Sequence, residues 1–530
     1  MLRIAKNDGY KRKTLMPNQS PDILLIILDT LRRDRVSAYG GIPTITPALD
    51  AFAEGATLFD RAVSPAQWTV PSHASMFTGV YPSTHQVTQA NHRLSGSYPT
   101  LAEILQVGGY KTIGFCNNPL VGVLDTGLTR GFDEFYNYAG AAVNRPQDVS
   151  KSQIRQTVSR TWGKFATRVS NTFAHSDFLF RTSLHPLLTP IWTRSIHYKG
   201  HTQNSVDDLI GYMQAQHADN ERKPLFTFLN LMGAHTPYRP PQDVIKQVAR
   251  DIWDDKQAYA FMRQFNADAA RWASPVSDPL SAFEQTVLDG FYTAEVAHQD
   301  AQLGRLLRYL EDSGTLDNTM VIIIADHGEG HGDHLFFGHS FVVYQELVHV
   351  PLIIRAPHMP AKRVTTPVST RRIFHTALDY ANIAPPLSDD DPNGDTHALS
   401  LARATNGLPD TEGGMAFAEA FPPNTLLNMI KHRNPAHVEH FRLQLIRRGA
   451  YHADHKLATV GDSVEGVFNI AQDPAERHNV ADENPIITQQ LQANLKQFVR
   501  QSEQQRADVP QFGREDEAVL ENLRALGYIE

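Results

Sequence analysis

The sequence predicts an α/β fold, in which a mainly parallel β-sheet lies between helices and a smaller C-terminal domain with an antiparallel sheet follows. Four runs are apolar almost throughout and contain many β-branched residues: ILLIIL at 23–28, LFTFLNL at 225–231, MVIIIA at 320–325 and PLIIRA at 351–356. Such runs are typical of strands that are buried on both faces of a sheet. Helical patterns separate them, as expected of parallel strands joined by crossover helices.

Two of these helices can be placed from their ends and their periodicity. Thr100 and Glu103 form a T-x-x-E capping box, and Gly108 predicts the end of that helix. A long helix is predicted for residues 282–312, where leucines recur on one side.

Changes in composition divide the chain into a flexible basic tail, a main domain and a C-terminal domain. The acidic, turn-rich stretch DDDPNGD after Pro386 predicts the boundary between the two domains. Beyond it, FRLQLIRRG at 441–449 and GVFNI at 466–470 predict strands, and a helix is predicted near 486–504. The predicted ranges are 1–20 for the tail, 21–386 for the main domain with insertions near 140–200 and 239–280, and 387–530 for the C-terminal α+β domain.

The composition limits the class of protein. With 530 residues and 41% hydrophobic content, the chain can bury one large core and a smaller one. The longest aliphatic run is far shorter than the roughly 20 residues that cross a bilayer, and the first twenty residues lack the apolar region of a signal peptide. We therefore expect a cytoplasmic protein. A net charge of −8 argues against general nucleic-acid binding, and a single cysteine excludes an internal disulfide and a thiolate metal cluster.

Residues 151–200 differ from the rest, with eight Lys or Arg and one acidic residue. Trp162, Phe165, Val169 and Phe173 recur there at helical spacing. The pattern leaves three alternatives open: peripheral contact with an anionic membrane, a cover over an anionic substrate, or a solvated helix packed on the main domain.

Acidic residues follow two of the predicted strands. Asp29 comes directly after ILLIIL, and Asp326 and His327 come directly after MVIIIA. Because open parallel sheets bind ligands beyond the carboxyl ends of their strands, we expect these side chains to meet. Two carboxylates and an imidazole suit Mn²⁺, Zn²⁺ or Ca²⁺ and leave room for one more oxygen. The alternative for Asp29 alone is a helix cap or a surface salt bridge.

Thr69 is the candidate for that oxygen. The stretch QWTVPSHASMFTG predicts a short helix between Pro71 and Gly79, with Thr69 at its N-cap. One interpretation is a threonine that caps its own helix. The other is a nucleophile that a divalent ion activates and that the positive helix end favours as an anion.

Several motifs in order resemble the sulfatase family of the alkaline phosphatase superfamily. They include LDTLRRDRVSAYG (28–40), TVPSHASMFTGVYPSTHQV (69–87), GAHTPY (233–238), YTAEVAHQDAQLGRLLRYL (292–310), ADHGEGHGDHLFFGHS (325–340), VPLIIRAP (350–357) and FNIAQDPAERHNVAD (468–482). The resemblance implies an alkaline-phosphatase-like fold with a small C-terminal sheet domain. It also implies that Asp29, Asp326 and His327, with Thr69, bind one divalent ion. Leu231 stands where bimetallic members have an aspartate, so a second metal is not expected.

The chain departs from the family at the nucleophile. Sulfatases have C-x-P-S-R or S-x-P-S-R, whose Cys or Ser becomes formylglycine, whereas this chain has TVPSH, so no formylglycine is expected. Threonine is the usual nucleophile of related phosphodiesterases and of phosphoethanolamine and phosphoglycerol transferases. His73 replaces the motif arginine, asparagines near Asn118 replace a lysine-bearing segment, and His339 replaces another lysine.

The resemblance therefore predicts an enzyme that cleaves phosphate diesters or phosphonate monoesters of small anionic substrates through metal-bound Thr69. Its predicted catalytic residues are Thr69, His73, His235 and His339, and its predicted substrate-binding residues are Arg33, Asn118, His235 and His339. The histidines can protonate a leaving group, since histidine titrates near neutrality. The alternatives are a sulfuric ester hydrolase that uses unmodified threonine and a non-catalytic protein that binds an anion or a lipid headgroup. His331 and His334 are either ligands or solvated, and a homo-oligomer is expected.

Overall fold

The computed structural model describes residues 20–139, 143–146, 185, 187, 198–219, 221–268, 271, 274–384 and 397–506. The predicted basic tail, nearly all of the basic and aromatic window at 151–200, and the acidic boundary stretch lie outside the described residues.

An eight-stranded sheet in the order β12-β2-β11-β7-β1-β6-β4-β5 forms the centre of the main domain. Its strands are β1 (Asp22–Leu28), β2 (Thr57–Phe59), β4 (Lys111–Cys116), β5 (Glu134–Asn137), β6 (Leu225–Leu231), β7 (Thr319–Ile324), β11 (Leu352–Arg355) and β12 (Lys362–Val364). The short strands β3 (Ala62–Val63), β8 (Gly330–His331), β9 (Phe337–Gly338), β10 (His349–Val350) and β13 (Val368–Ser369) form two further small sheets.

The four predicted apolar runs form β1, β6, β7 and β11. β1 pairs in parallel with both β6 and β7, with Leu25 opposite Phe228 on one side and Ile322 on the other. β11 runs antiparallel to β7 and β2, so the sheet is mainly but not wholly parallel, as predicted. Every residue of β1, β6 and β7 is buried. Because successive side chains of a strand point to opposite faces, both faces of the sheet are covered.

Helices cover the sheet in two groups. The helices are α1 (Pro47–Glu54), α2 (Thr69–Thr78), α3 (Pro82–His85), α4 (Leu101–Val107), α5 (Pro119–Gly122), α6 (Thr202–His217), α7 (Gln242–Val248), α8 (Lys256–Ala267), α9 (Ala282–Asp312), α10 (Gln345–Val348), α11 (Ile373–Ala381), α12 (Ala402–Thr405), α13 (Asn424–Arg433), α14 (Pro435–His440) and α15 (Pro485–Gln504). In one group α1, α6, α7 and α8 pack against α9, and in the other α2, α4 and α11 pack together.

The helix ends confirm the sequence predictions for α4 and α9. α4 begins after Thr100, whose side chain and that of Glu103 form the predicted capping box, and Gly108 is the C-cap. α9 has the predicted bounds and begins with a second capping box, formed by Ser281 and Glu284. Among the described residues, none of the helices is long and apolar enough to cross a membrane.

The C-terminal domain is an antiparallel sheet of β14 (Met415–Ala420), β15 (Arg447–His452), β16 (His455–Val460) and β17 (Ser463–Asn469), with α15 packed against β15 and β16. The strand predicted for 441–449 begins only at Arg447, since residues 441–446 form turns that bury Leu443. β14 contacts the main domain just before α2, where Gln67 donates a hydrogen bond to the Phe421 carbonyl.

Candidate active site

Four neighbouring strands of the main sheet end at the candidate site. β7, β1, β6 and β4 lie side by side and run parallel. Asp326 follows β7, Asp29 follows β1, Asn230 is the next-to-last residue of β6, and Asn118 lies just beyond β4. Because parallel strands end at the same edge of a sheet, side chains from distant parts of the chain meet there.

Asp29 and Asp326 place two carboxylates in one buried space. Oδ2 of Asp29 accepts hydrogen bonds from Asn118 (2.6 Å) and Asn230 (3.4 Å). Oδ1 of Asp326 accepts from the backbone N–H groups of Thr30 and His327. Among the described residues, Oδ1 of Asp29 and Oδ2 of Asp326 are buried without a hydrogen-bond partner. Two such oxygens are unfavourable in a protein interior unless a cation joins them.

The two carboxylates also disturb each other's ionisation. Burial and the charge of Asp29 raise the pKa of Asp326 well above its usual value. Burial raises the pKa of Asp29 as well, but His235, His327 and the Asn118 amide outweigh it, so its net pKa lies below the usual value. A bound cation would reverse the effect on Asp326, because its charge favours both ionised forms.

His327 completes a group that can hold a metal ion. Its Nδ1 lies 2.8 Å from the Gly328 carbonyl oxygen, which can only accept, so Nδ1 carries the proton. Nε2 is then the free acceptor, 3.4 Å from Oδ2 of Asp326. Burial and nearby His339 hold the pKa of His327 well below its usual value, which keeps the imidazole neutral. Ligand atoms of Asp29, Asp326 and His327 lie within 4.8 Å of one another. This donor set, with its unpartnered oxygens, fits a divalent ion.

Thr69 faces these residues. It is the first residue of α2 and Trp68 is the N-cap, so the prediction that Thr69 caps the helix is wrong by one position. Its Oγ1 lies 3.3 Å from Nε2 of His327 and 3.5 Å from Nδ2 of Asn118. The Thr69 hydroxyl is therefore directed at the metal-binding group and not at the N–H groups of its own helix.

His73 lies one helical turn further on, behind Thr69. Its Nδ1 donates to the Thr69 carbonyl at 2.9 Å and lies 3.5 Å from Oδ2 of Asp326, and its Nε2 is 3.4 Å from Nδ2 of Asn230. Burial lowers its pKa, so the ring is neutral. These contacts place His73 between Asp326 and the first turn of α2, and its predicted catalytic role stays a prediction.

His235 and His339 stand next to His327. The ring centroids of His235 and His339 are 5.2 Å apart, and those of His339 and His327 are 4.5 Å apart. Burial alone would lower the pKa of His339, but Glu329, which lies 2.9 Å from its Nδ1, raises the net pKa above the usual value. Burial lowers the pKa of His235, whose Nδ1 donates to the Thr236 carbonyl at 2.5 Å. His339 is therefore the better proton donor near neutral pH.

Arg33 has its contacts elsewhere. Its guanidinium packs over the Tyr39 ring at 4.6 Å and lies 3.9 Å from Asp60. Its neighbour Arg32 points inward instead and binds the Glu329 carbonyl and Asp333. The predicted role of Arg33 in substrate binding stays a prediction.

His331 and His334 are neither ligands of the Asp29 group nor freely solvated. Nε2 of His331 lies 3.0 Å from the Tyr238 hydroxyl, and Nδ1 lies 3.5 Å from Asp289. His334 stacks on Tyr344 and lies 3.1 Å from Glu346.

Two site residues were not predicted. Asn230 is the one polar residue near the end of the apolar run LFTFLNL, and this position was a usable signal. Glu329 is the last residue of the DHGE motif, but its partner His339 lies ten residues on and only the folded loop shows the pairing.

A model of the sulfatase family matches residues 21–383. The chain belongs to the sulfatase family. The chain is 24% identical over 516 residues to arylsulfatase K of Bos taurus, across 93% of this chain and 84% of the relative. Its fold is similar to the phosphonate monoester hydrolase of Agrobacterium radiobacter, with a TM-score of 0.61, 20% identity, and coverage of 91% of this chain and 96% of that one. The phosphonate monoester hydrolase from Silicibacter pomeroyi gives a TM-score of 0.58 at 20% identity, across 91% and 95% of the two chains.

The family and the geometry agree on the metal-binding group. The buried Asp29, Asp326 and His327 are consistent with metal binding in the sulfatase family. The mainly parallel sheet and the C-terminal antiparallel sheet confirm the predicted alkaline-phosphatase-like fold.

Proposed function

We propose that this sulfatase-family protein is a metal-dependent hydrolase or transferase that cleaves phosphate diesters or phosphonate monoesters, with Thr69 as nucleophile. The observation that supports this most strongly is the direction of the Thr69 hydroxyl, which lies 3.3 Å from Nε2 of His327 and 3.5 Å from Nδ2 of Asn118.

Asp29, Asp326, His327 and Thr69 are the residues that would hold the ion. When bound, a divalent ion acts as a Lewis acid that favours loss of the proton from a neighbouring hydroxyl and balances charge on the ester oxygens. The protein itself contributes the fixed orientation of Asp29, whose Oδ2 is held by Asn118 and Asn230.

The reaction runs through a covalent phosphoryl-threonine. Deprotonated Thr69 Oγ1 bonds to phosphorus, and the bond between phosphorus and the leaving oxygen breaks. The leaving oxygen takes a proton from the pair of His235 and His339. His339 is the more readily protonated of the two, because its Nδ1 lies beside the carboxylate of Glu329. Water or an acceptor hydroxyl then bonds to phosphorus and passes its proton to the histidine pair, which regains the proton that it gave to the leaving group. The bond between phosphorus and the Thr69 oxygen breaks, and Oγ1 leaves in its deprotonated form.

The charge around the site favours a singly charged substrate. The Thr69 hydroxyl lies 3.5 Å from the amide of Asn118, and neutral His73 and Asn230 lie behind it. The ammonium of Lys199, which binds the loop around His235, is paired with Glu295 at 3.0 Å. A phosphate monoester bears one more negative charge than a diester or a phosphonate monoester and finds few permanent cations here. The similarity in fold between this chain and two phosphonate monoester hydrolases is compatible with this substrate class.

A sulfuric ester hydrolase that uses unmodified Thr69 is the second candidate. It is favoured by the family match and by the similarity to arylsulfatase K along most of the chain. A sulfate ester is also singly charged, so substrate charge does not separate the two candidates.

Turnover of four p-nitrophenyl esters tests the proposal: the phosphate, the bis-phosphate diester, the phenylphosphonate and the sulfate, each with Mn²⁺ or Zn²⁺. We expect the diester or the phosphonate to be fastest and Thr69→Ala to lose at least about 10³-fold in kcat. Thr78→Ala is the matched control, because Thr78 is a threonine of the same helix that bonds only the Ala74 carbonyl. Fastest turnover of the sulfate supports the second candidate, and full activity of Thr69→Ala overturns both.

A further inference from the structure

We propose that Lys199 and Glu295 hold the loop that bears His235 and so position its ring beside His339, the better proton donor of the histidine pair. This inference rests on the proposed function, because it takes the His235 and His339 pair to protonate the leaving group.

Lys199 binds the loop on both sides of His235. Its ammonium donates to the carbonyl of Gly233 at 2.7 Å and to that of Pro237 at 3.2 Å, two residues before and two residues after the histidine. It also donates to Oε1 of Glu295 at 3.0 Å. An ammonium has three N–H donors, and these three acceptors use all of them. Lys199 is therefore a positioning residue and has no donor left for a substrate.

Glu295 connects this arrangement to a rigid element. It lies within α9 and is 5% exposed. The oxygen that accepts from Lys199 also accepts from the backbone N–H of Arg239 at 2.6 Å, just beyond the loop. The Glu295 carboxylate thus binds the backbone just after the loop directly. Through Lys199 it also holds the backbone on both sides of His235. A buried pair of this kind specifies geometry more than it adds stability.

The loop packs closely on α9. A Cβ atom at Gly233 would lie 2.3 Å from Oε1 and 2.8 Å from Cβ of Gln299 in this helix. The same helix supplies Glu295, so the loop and the Lys199 ammonium are both held against α9. Since Nδ1 of His235 is bonded to the neighbouring Thr236 carbonyl, the placement of this loop determines where Nε2 points.

A loop held this way has a measurable chemical role. Displacing a catalytic group by about 1 Å can reduce a rate about 10²-fold. The loss is greatest for substrates whose leaving group needs a proton. A phenyl ester, with a more basic leaving oxygen than a p-nitrophenyl ester, depends more on the correctly placed pair of His235 and His339.

The test compares phenyl and p-nitrophenyl phenylphosphonate as substrates of Lys199→Met. We expect kcat to fall about 10- to 100-fold for the phenyl ester and less for the p-nitrophenyl ester, with KM changed less than about twofold. Lys199→Arg, which keeps the charge, should recover part of the loss. Lys111→Met is the matched control, because Lys111 pairs with Glu134 at 2.9 Å at the opposite end of β4 from the site. Its activity should equal that of the wild type.

Lys199→Met leaves a buried carboxylate without its cation, so Lys199→Met/Glu295→Gln is made in parallel. Glutamine keeps an acceptor for the Arg239 N–H while both charges are removed. We expect the double variant to fold, as judged by circular dichroism, and to show the same selective loss for the phenyl ester.

A double-mutant cycle with His235→Ala separates positioning from a general structural role. If Lys199 acts through His235, Lys199→Met lowers kcat by less than about twofold in the His235→Ala background. An equal loss in both backgrounds, or wild-type kcat in Lys199→Met and in the double variant, overturns the inference. Failure of the proposed function has a different result: Thr69→Ala then hydrolyses both esters as fast as the wild type.

Discussion

Two sets of buried carboxylates in this molecule have opposite surroundings. Asp29 and Asp326 face each other, and each has an oxygen without a hydrogen-bond partner among the described residues. Glu419, equally buried, lies where β14 meets the main domain and is fully engaged. It binds Arg448 at 3.0 Å, the Ser83 N–H at 2.8 Å and the Ser83 hydroxyl.

The difference separates stability from function. The partners of Glu419 belong to the fold, so this carboxylate joins the C-terminal sheet to α3 without any ligand. The carboxylates of Asp29 and Asp326 repel each other until a cation binds, so the fold holds them in place at a loss of stability. Function requires the second arrangement, because a site whose acceptors are all satisfied has no atom left for a metal.

Removing one carboxylate of the facing pair should have the largest effect. We expect Asp326→Asn to lower kcat/KM about 10³-fold, since a catalytic metal contributes several kcal/mol.

The same substitution should not destabilise the metal-free protein. The variant's free energy of unfolding should equal or exceed that of the metal-free wild type. The raised pKa of Asp326 means that the folded state holds a proton that the unfolded state loses, so metal-free wild type loses stability as pH rises above about 4. Urea unfolding at pH 8 should show the variant at least as stable as wild type, and a clear destabilisation would contradict the comparison.

Removing the satisfied carboxylate should act on stability. Glu419→Ala leaves Arg448 without its partner in a largely buried place, and we expect a loss of about 3 kcal/mol in the free energy of unfolding. Turnover per folded molecule should stay near wild type. Asp125→Ala removes the half-exposed partner of Arg93 and serves as the control, with an expected change of less than about 0.5 kcal/mol. Equal losses of unfolding free energy in Glu419→Ala and Asp125→Ala would show that the buried position of Glu419 does not increase its contribution to stability.

Metal binding should stabilise the folded protein, because the cation joins the facing carboxylates of Asp29 and Asp326. After chelation, adding Mn²⁺ or Zn²⁺ to about 100 times its Kd should raise the free energy of unfolding by about 2.7 kcal/mol. Thermal unfolding with and without metal measures the shift. Asp326→Asn should show little of it, whereas Glu419→Ala should show all of it, because only the first variant lacks a ligand.

A smaller effect comes from buried neutral histidines outside the site. Burial lowers the pKa of His85 to about 3, and its ring bonds Ser75 and the Val87 N–H. Because the unfolded state takes up a proton below about 6.5 and the folded state does not, stability should fall as pH decreases. Between pH 7 and pH 5 the loss due to His85 is about 2 kcal/mol. Denaturant unfolding of His85→Gln should show a correspondingly shallower pH dependence, and an unchanged slope would exclude this source.

Much of the fold could be predicted from local patterns. The capping box at Thr100 and Glu103 and the bounds of α9 depend on hydrogen bonds and periodicity within a few turns, and both are confirmed. The strand predicted at 441–449 starts late because Leu443 is buried by turns that no local pattern marks.

The sequence by itself determined four strands of the main sheet (β1, β6, β7 and β11), the long helices α9 and α15, and the placement of Asp29, Asp326 and His327 at strand ends. These features follow from hydrophobic periodicity and from the common edge of parallel strands. Only the tertiary structure decided the directions of side chains. It shifted the N-cap to Trp68 and placed the Thr69 hydroxyl near His327, it directed Arg32 to Glu329 and Arg33 to Tyr39, and it joined Lys199 to Glu295. The physical reason is that each of these contacts depends on the rotation of a side chain or on a partner far away in the chain. Packing determines both, and local sequence patterns carry no information about either.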